Sequence, residues 1–208
     1  MNLFGLNVGT LLGRAFFLLA IMPIHEYAHA WMASKMGDNT ARYSGRLDLN
    51  PLKHLDPLGS ILILFTGFGW ARPVPINSNN FYDRKKGIFL TALAGPAANI
   101  LLSLVMVIIY KFMIRLGLFS IVLDIIFTIM QTSVFLAVFN LLPIPPLDGW
   151  NMVSVFLPHE LYYKVMRYQR EISFVFFALI MFTNIISVPL SFLSTLIIRL
   201  LDTITFFI

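Results

Sequence analysis

Apolar runs of membrane-spanning length set the first limit on what this chain can fold into. About Leu11 to Met36, Gly87 to Tyr110 and Leu116 to Leu142 each run apolar with few interruptions, and the chain turns apolar again from Ile172 to its end. Roughly 20 such residues cross a bilayer's hydrocarbon as a helix. Inside lipid the backbone must satisfy its own hydrogen bonds, which helices do within one segment. Composition agrees. Hydrophobic residues make up 58% and charged residues 12%, with a mean hydropathy of +0.82. A soluble domain carries about 25% charged residues. The fold class expected is an all-α polytopic membrane protein, residues 1–208 forming one integral-membrane domain. Its core would lie at about 10–150 and further membrane segments at about 172–208.

Between these runs the chain reads as shorter pieces. Alternation in ARYSGRLDLNP, residues 41–51, suggests short strands. GSILILFTGFGW, residues 59–70, is apolar but too short to span, and reads as a re-entrant or interfacial segment. Pro23 is expected to kink the first helix. Pro189 is expected to divide the C-terminal run into a kinked helix or a tight hairpin. The first apolar run lacks a signal peptide's basic start and small-residue cleavage site, so it is expected to be retained.

The net charge of +5 is arranged as topology rather than as a nucleic-acid surface. Lys and Arg concentrate between the first and second runs, from Lys35 to Lys86, and again at Lys164, Arg167 and Arg170. Only Lys111 and Arg115 lie in the turn between the second and third runs. The positive-inside tendency then puts the N-terminus outside and the two richer regions in the cytoplasm. Cysteine is absent, which excludes disulfides and thiolate metal sites.

The first run contains IMPIHEYAHAW, with two histidines and a glutamate where each is costly. Ionisable residues in a spanning helix read as functional. His25 and His29, four apart, share one helix face and can reach one cation. Glu26 stands beside them, completing an HExxH arrangement: two zinc ligands and a carboxylate placed as a base. A catalytic zinc usually takes three protein ligands. His54, His159, Asp124, Asp148 and loop carboxylates are candidates for the third. Asp148 is the best placed, because Pro143, Pro145 and Pro146 hold NLLPIPPLDG extended after the third run and Gly149 permits a turn. Asn140 stands at that run's end, where a carboxamide can meet an extended substrate or an oxyanion. His54 is placed to donate to an oxyanion or to line the access path. The small-residue stretch ALAGPAANI, residues 92–100, favours close helix packing.

HEYAHA on the first long helix, with NLLPIPPLDG after a later one, resembles the site-2 protease family of intramembrane zinc metalloproteases. LNPLKHLDPLGS, residues 49–60, and ALAGPAANI are similar to further stretches of that family. The resemblance covers about residues 10–150. It implies that His25, His29 and Asp148 bind one zinc and that Glu26 is the catalytic acid and base. It also points to Asn140 as a substrate contact. Its substrates would be transmembrane proteins, such as an anti-sigma factor or a remnant signal peptide, cut near the cytoplasmic side of the cell membrane. The chain is expected to be a minimal member without the PDZ or CBS domain that many members carry, and Trp150 and Asn151 replace residues common after LDG. The alternative from another class is a membrane transporter or sensor of divalent metal using the same three ligands. A di-iron oxidase would need more than the four histidines present.

Overall fold

The computed structural model describes residues 8–67, 69–118 and 121–207. Four helices in it are long and apolar enough to cross a membrane. They are α1 (Gly9–Lys35), α3 (Arg84–Arg115), α4 (Ile121–Asn140) and α8 (Ser187–Ile204). Between them lie the short apolar helix α2 (Pro57–Thr66), then α5 (Asp148–Ser154), α6 (His159–Arg167) and α7 (Gln169–Phe182). The all-α membrane architecture is as the apolar runs imply.

Helix α1 does not simply kink at Pro23. Five residues before the histidine turn, Phe17–Ile21, are π-helical, and the Met22 N–H bonds to the Phe17 carbonyl. Proline has no N–H to offer the ladder, and a wider turn just ahead of it takes up the mismatch. π-turns of this sort often mark functional sites. Leu18 within this turn and Met22 just after it pack on Ile63 of α2. Arg14, one turn into α1, donates from Nη1 to the Leu64 and Phe65 carbonyls at 2.8 and 2.9 Å. A cation thus closes the C-terminus of α2, where unpaired carbonyls and the helix dipole favour one. That bond holds the short helix against the first span.

The strands expected at 41–51 do not form. Thr40–Tyr43 is a single helical turn, Gly45 follows with φ of 66°, and the described residues contain only an isolated bridge, Leu55 to Ala71. Side chains that satisfy backbone locally win here. Asp48 accepts from the Asn50 N–H and Asn50 from the Leu52 N–H. The C-terminal run divides at Thr183, not at Pro189. Thr183 is extended, and Pro189 sits in the first turn of α8, where a proline costs no intrahelical bond.

The main core lies between α3, α4 and α8. Val107, Met130, Val134, Val138, Leu190 and Leu201 are buried there. At the far end Lys111 donates to the Asp202 and Thr205 carbonyls and pairs with the Asp202 carboxylate at 2.9 Å. Many large apolar side chains remain exposed along the spans, including Leu101, Phe112, Phe135 and Leu200. Lipid covers such surfaces in a membrane protein, so they need no protein partner.

Asp38 ties the loops together. Its buried carboxylate accepts from the Thr40 N–H and hydroxyl, the Asn77 N–H and the Asn80 amide. Burial alone would raise its pKa, but these donors outweigh it and hold the group below the usual carboxylate range. A depressed folded-state pKa means that the stabilisation is whole above the unfolded value near 3.9 and lost as pH falls through the folded one. Asp38→Ala is therefore expected to cost about 3 kcal/mol at neutral pH, a deficit that narrows in strong acid. Thermal unfolding of the detergent-solubilised protein across pH measures it.

Candidate metal centre and active site

The sequence separates His29 from Asp148 by more than half the chain, and the fold brings them together. Helix α1 presents His25 and His29 towards α3. Asp148 opens α5, directly after the proline-rich turn that leaves α4. Gly149 makes the approach possible, because any side chain there would collide with the Leu141 and Leu142 carbonyls. Trp150 then packs in parallel on Tyr162 of α6, ring centres 6.4 Å apart, so the residue that departs from the common LDG pattern anchors α5 to α6.

The three ligand atoms form a near-equilateral triangle. His25 Nε2 and His29 Nε2 are 3.0 Å apart, and each lies 3.2 Å from Asp148 Oδ2. A tetrahedral zinc with bonds of about 2.0–2.1 Å holds its ligands about 3.3 Å apart, so the residues fit the ion. Their hydrogen bonding fits too. His29 Nδ1 donates to the Thr91 carbonyl at 2.7 Å, which leaves the Nε2 lone pair free for a cation. Asp148 Oδ2 is buried and faces no polar group but the two imidazole nitrogens. A buried carboxylate oxygen left that way is costly unless a metal takes it.

Two supporting residues were not singled out for this role by spacing alone. Asn99 on α3 is fully buried, with its amide 3.2 Å from His25 Nδ1. A ligand that binds through Nε2 needs Nδ1 protonated. Turning the amide so that its oxygen, otherwise unpartnered, accepts that proton satisfies both groups. Gly95 lies one turn earlier, and a Cβ built on it would fall against both imidazoles. Asn99→Leu is expected to weaken zinc binding about 10–100-fold without unfolding the helices. Competition with a chelator of known affinity gives the number.

Glu26 is partly buried, and its Oε2 accepts from the Val74 N–H at 3.2 Å. It lines one cavity of about 680 Å³ with His25, His29, Asp148 and Asn140. Asn140 reaches this cavity, although its Nδ2 is bonded to the Leu136 carbonyl of its own helix at 3.0 Å. His54 is not brought to the site. It is fully buried in the 48–55 turn, its Nε2 is 2.6 Å from the Asp48 carbonyl, and it does not line the cavity. The loop folds over the ring, bonding its Nε2 and leaving Nδ1 buried without a partner, instead of presenting it at the cavity. His159 is exposed but lines the cavity's outer part with Tyr162 and Tyr163.

Residues 117–183 match Peptidase family M50. YwhC of Bacillus subtilis (strain 168), named by inference a zinc metalloprotease, is 45% identical over 147 residues, covering 68% of this chain and 67% of its own length. This chain belongs to peptidase family M50. Rip2 of Mycolicibacterium smegmatis, named in the same way, is 32% identical over 156 residues, and Rip2 of Mycobacterium tuberculosis 28% over 155. The chain spans two thirds of YwhC and 56% of the Rip2 proteins. No solved structure matches it. M50 membership bears out the resemblance to zinc metalloproteases, and the His25–His29–Asp148 group agrees with zinc as the cofactor.

Proposed function

We propose that this M50 chain is an intramembrane protease that hydrolyses peptide bonds within or near the transmembrane segments of other membrane proteins. The observation that carries the reading is Glu26 beside the His25–His29–Asp148 triangle, on one cavity among helices apolar enough to span a bilayer. A zinc held by those three residues would supply Lewis acidity, polarising a scissile carbonyl and acidifying water. Glu26 takes the water's proton and passes it to the leaving nitrogen. Val74 fixes the carboxylate for that transfer through its N–H. At the cavity wall Asn140, its amide nitrogen committed to Leu136, has its carboxamide oxygen available for a substrate N–H.

A substrate helix must unwind before it can be cut, because its amides are locked in their own bonds. Residues 72–77 form no regular structure, and Pro73, Val74 and Ile76 of this stretch line the cavity. They offer the unwound piece an edge to lie against. The 41–49 stretch, a helical turn and bends, offers none. The Lys and Arg distribution supports an N-terminus outside, with the site opening to the cytoplasm. Single-span regulators such as anti-sigma factors, or remnant signal peptides, are the substrates that suit such a site.

The test is incubation of the zinc-loaded protein with a panel of single-span substrates, with cut sites mapped by mass spectrometry. Cuts inside or next to the transmembrane segment are expected. Cuts confined to water-exposed loops would overturn the intramembrane reading.

A further inference from the structure

A second cavity, of about 550 Å³, lies on the other side of the Arg72–Pro75 segment from the active site, and Pro73 lines both. Arg46, Lys53 and Arg72 surround it, with Ser44, Gly45 and Leu52. Arg46 is unusual among them. It is a guanidinium only 7% exposed, and its Nε is buried with no partner. Its Nη2 donates to the Arg72 and Pro73 carbonyls. Lys53 is paired with Asp48 at 2.7 Å, but among the described residues no carboxylate pairs with Arg46 or Arg72. Burial and the Arg72 charge both pull the Arg46 pKa below its ordinary value, and only Glu26 opposes them. Two like charges thus share a concave site in which no carboxylate of the described residues pairs with either.

The surroundings say which anion. Leu52, which lines the cavity, is 76% exposed, and Leu49, Leu58 and Tyr43 nearby in sequence are exposed too. Exposed apolar side chains beside a cationic pocket suit a molecule with a phosphate head and an acyl tail at the membrane surface. We propose that Arg46, Lys53 and Arg72 form a phosphate site for the headgroup of an anionic phospholipid. An occupant pairs with the guanidiniums and steadies Arg46. Arg46 in turn holds the Arg72 and Pro73 carbonyls, and the next residue, Val74, holds the carboxylate of Glu26. The lipid would therefore stiffen the wall that positions the base.

The experiment reads lipid binding and needs no protease substrate, so it stands or falls apart from the proposed activity. The full chain is placed in phosphatidylcholine nanodiscs with and without phosphatidylglycerol, and retained lipid is identified by native mass spectrometry. Wild type is expected to keep phosphatidylglycerol, and the double variant Lys53→Gln/Arg72→Gln to bind it at least about tenfold more weakly. Both substituted side chains are exposed, so the variant should fold. Arg46→Lys, which keeps the charge but loses the planar fork, is expected to fall between them. Equal retention by wild type and the double variant would overturn the site. Thermal stabilisation by inorganic phosphate as large as that by the lipid would overturn the lipid assignment and leave a free-phosphate site. Displacement of the lipid by an acidic soluble peptide at equal concentration would overturn it in favour of a substrate carboxylate.

Discussion

Glu26→Gln is expected to slow peptide hydrolysis by about 10²–10⁴-fold while leaving zinc content unchanged. The glutamate is not one of the three atoms that face each other across the triangle; those come from His25, His29 and Asp148. Its carboxylate is held instead by the Val74 N–H on the cavity side. A glutamine is nearly isosteric, and its oxygen can still accept that N–H, so the fold and the ligands should not notice the change. What disappears is a group able to take a proton. The measurement pairs a cleavage assay with metal analysis of the same preparation. A variant that keeps zinc and loses cleavage assigns Glu26 as the base. A variant that keeps zinc and cleaves normally would mean that another group takes the water's proton and that Glu26 is not the base.

The site was readable from sequence to an uneven depth. His25, Glu26 and His29 follow from helical spacing, because four residues make one turn and nothing tertiary is needed to place them. Asp148 required a distant pairing, which its proline-held, glycine-following turn made plausible and the fold now supplies at 3.2 Å from each imidazole. Asn99 was legible as a polar residue able to bond across helices towards the active site, and Gly95 only as a small residue in a packed helix. Their relation to the histidines depends on how α3 crosses α1, which no spacing within either helix encodes. His54 shows the opposite failure. A histidine in a polar loop invites a functional reading, yet the Asp48 carbonyl is within reach and the ring is buried against it. The same local competition replaced the expected strands at 41–51. Alternation there was real, but aspartate and asparagine side chains capped their own backbone before a ladder could form. The long helices were the safest part of the reading, because membrane thickness fixes their length independently of neighbours.

Gly95→Ala is expected to be as damaging to metal binding as loss of a ligand. A methyl group at this position would sit 2.6 Å from His29 Cε1 and 2.7 Å from His25 Cε1, distances that real side chains do not tolerate. It would also press on His29 Nε2, the atom that must face the ion. The imidazoles cannot rotate freely away, since Thr91 holds Nδ1 of one and Asn99 that of the other. Either α1 and α3 part by about an ångström, or a ring leaves the triangle. Overpacking of this kind costs about 1–3 kcal/mol. Zinc affinity should suffer more, because three ligand atoms about 3 Å apart tolerate little displacement before the tetrahedron fails. The expected result is a folded, helical protein with a modestly lowered unfolding temperature, zinc binding weakened by about 10²-fold or more, and no cleavage at ordinary zinc levels. Helical content by circular dichroism and zinc per chain separate the two effects. Full zinc occupancy with normal cleavage would mean that the glycine serves helix packing alone and that the space it leaves is not what admits the histidine pair.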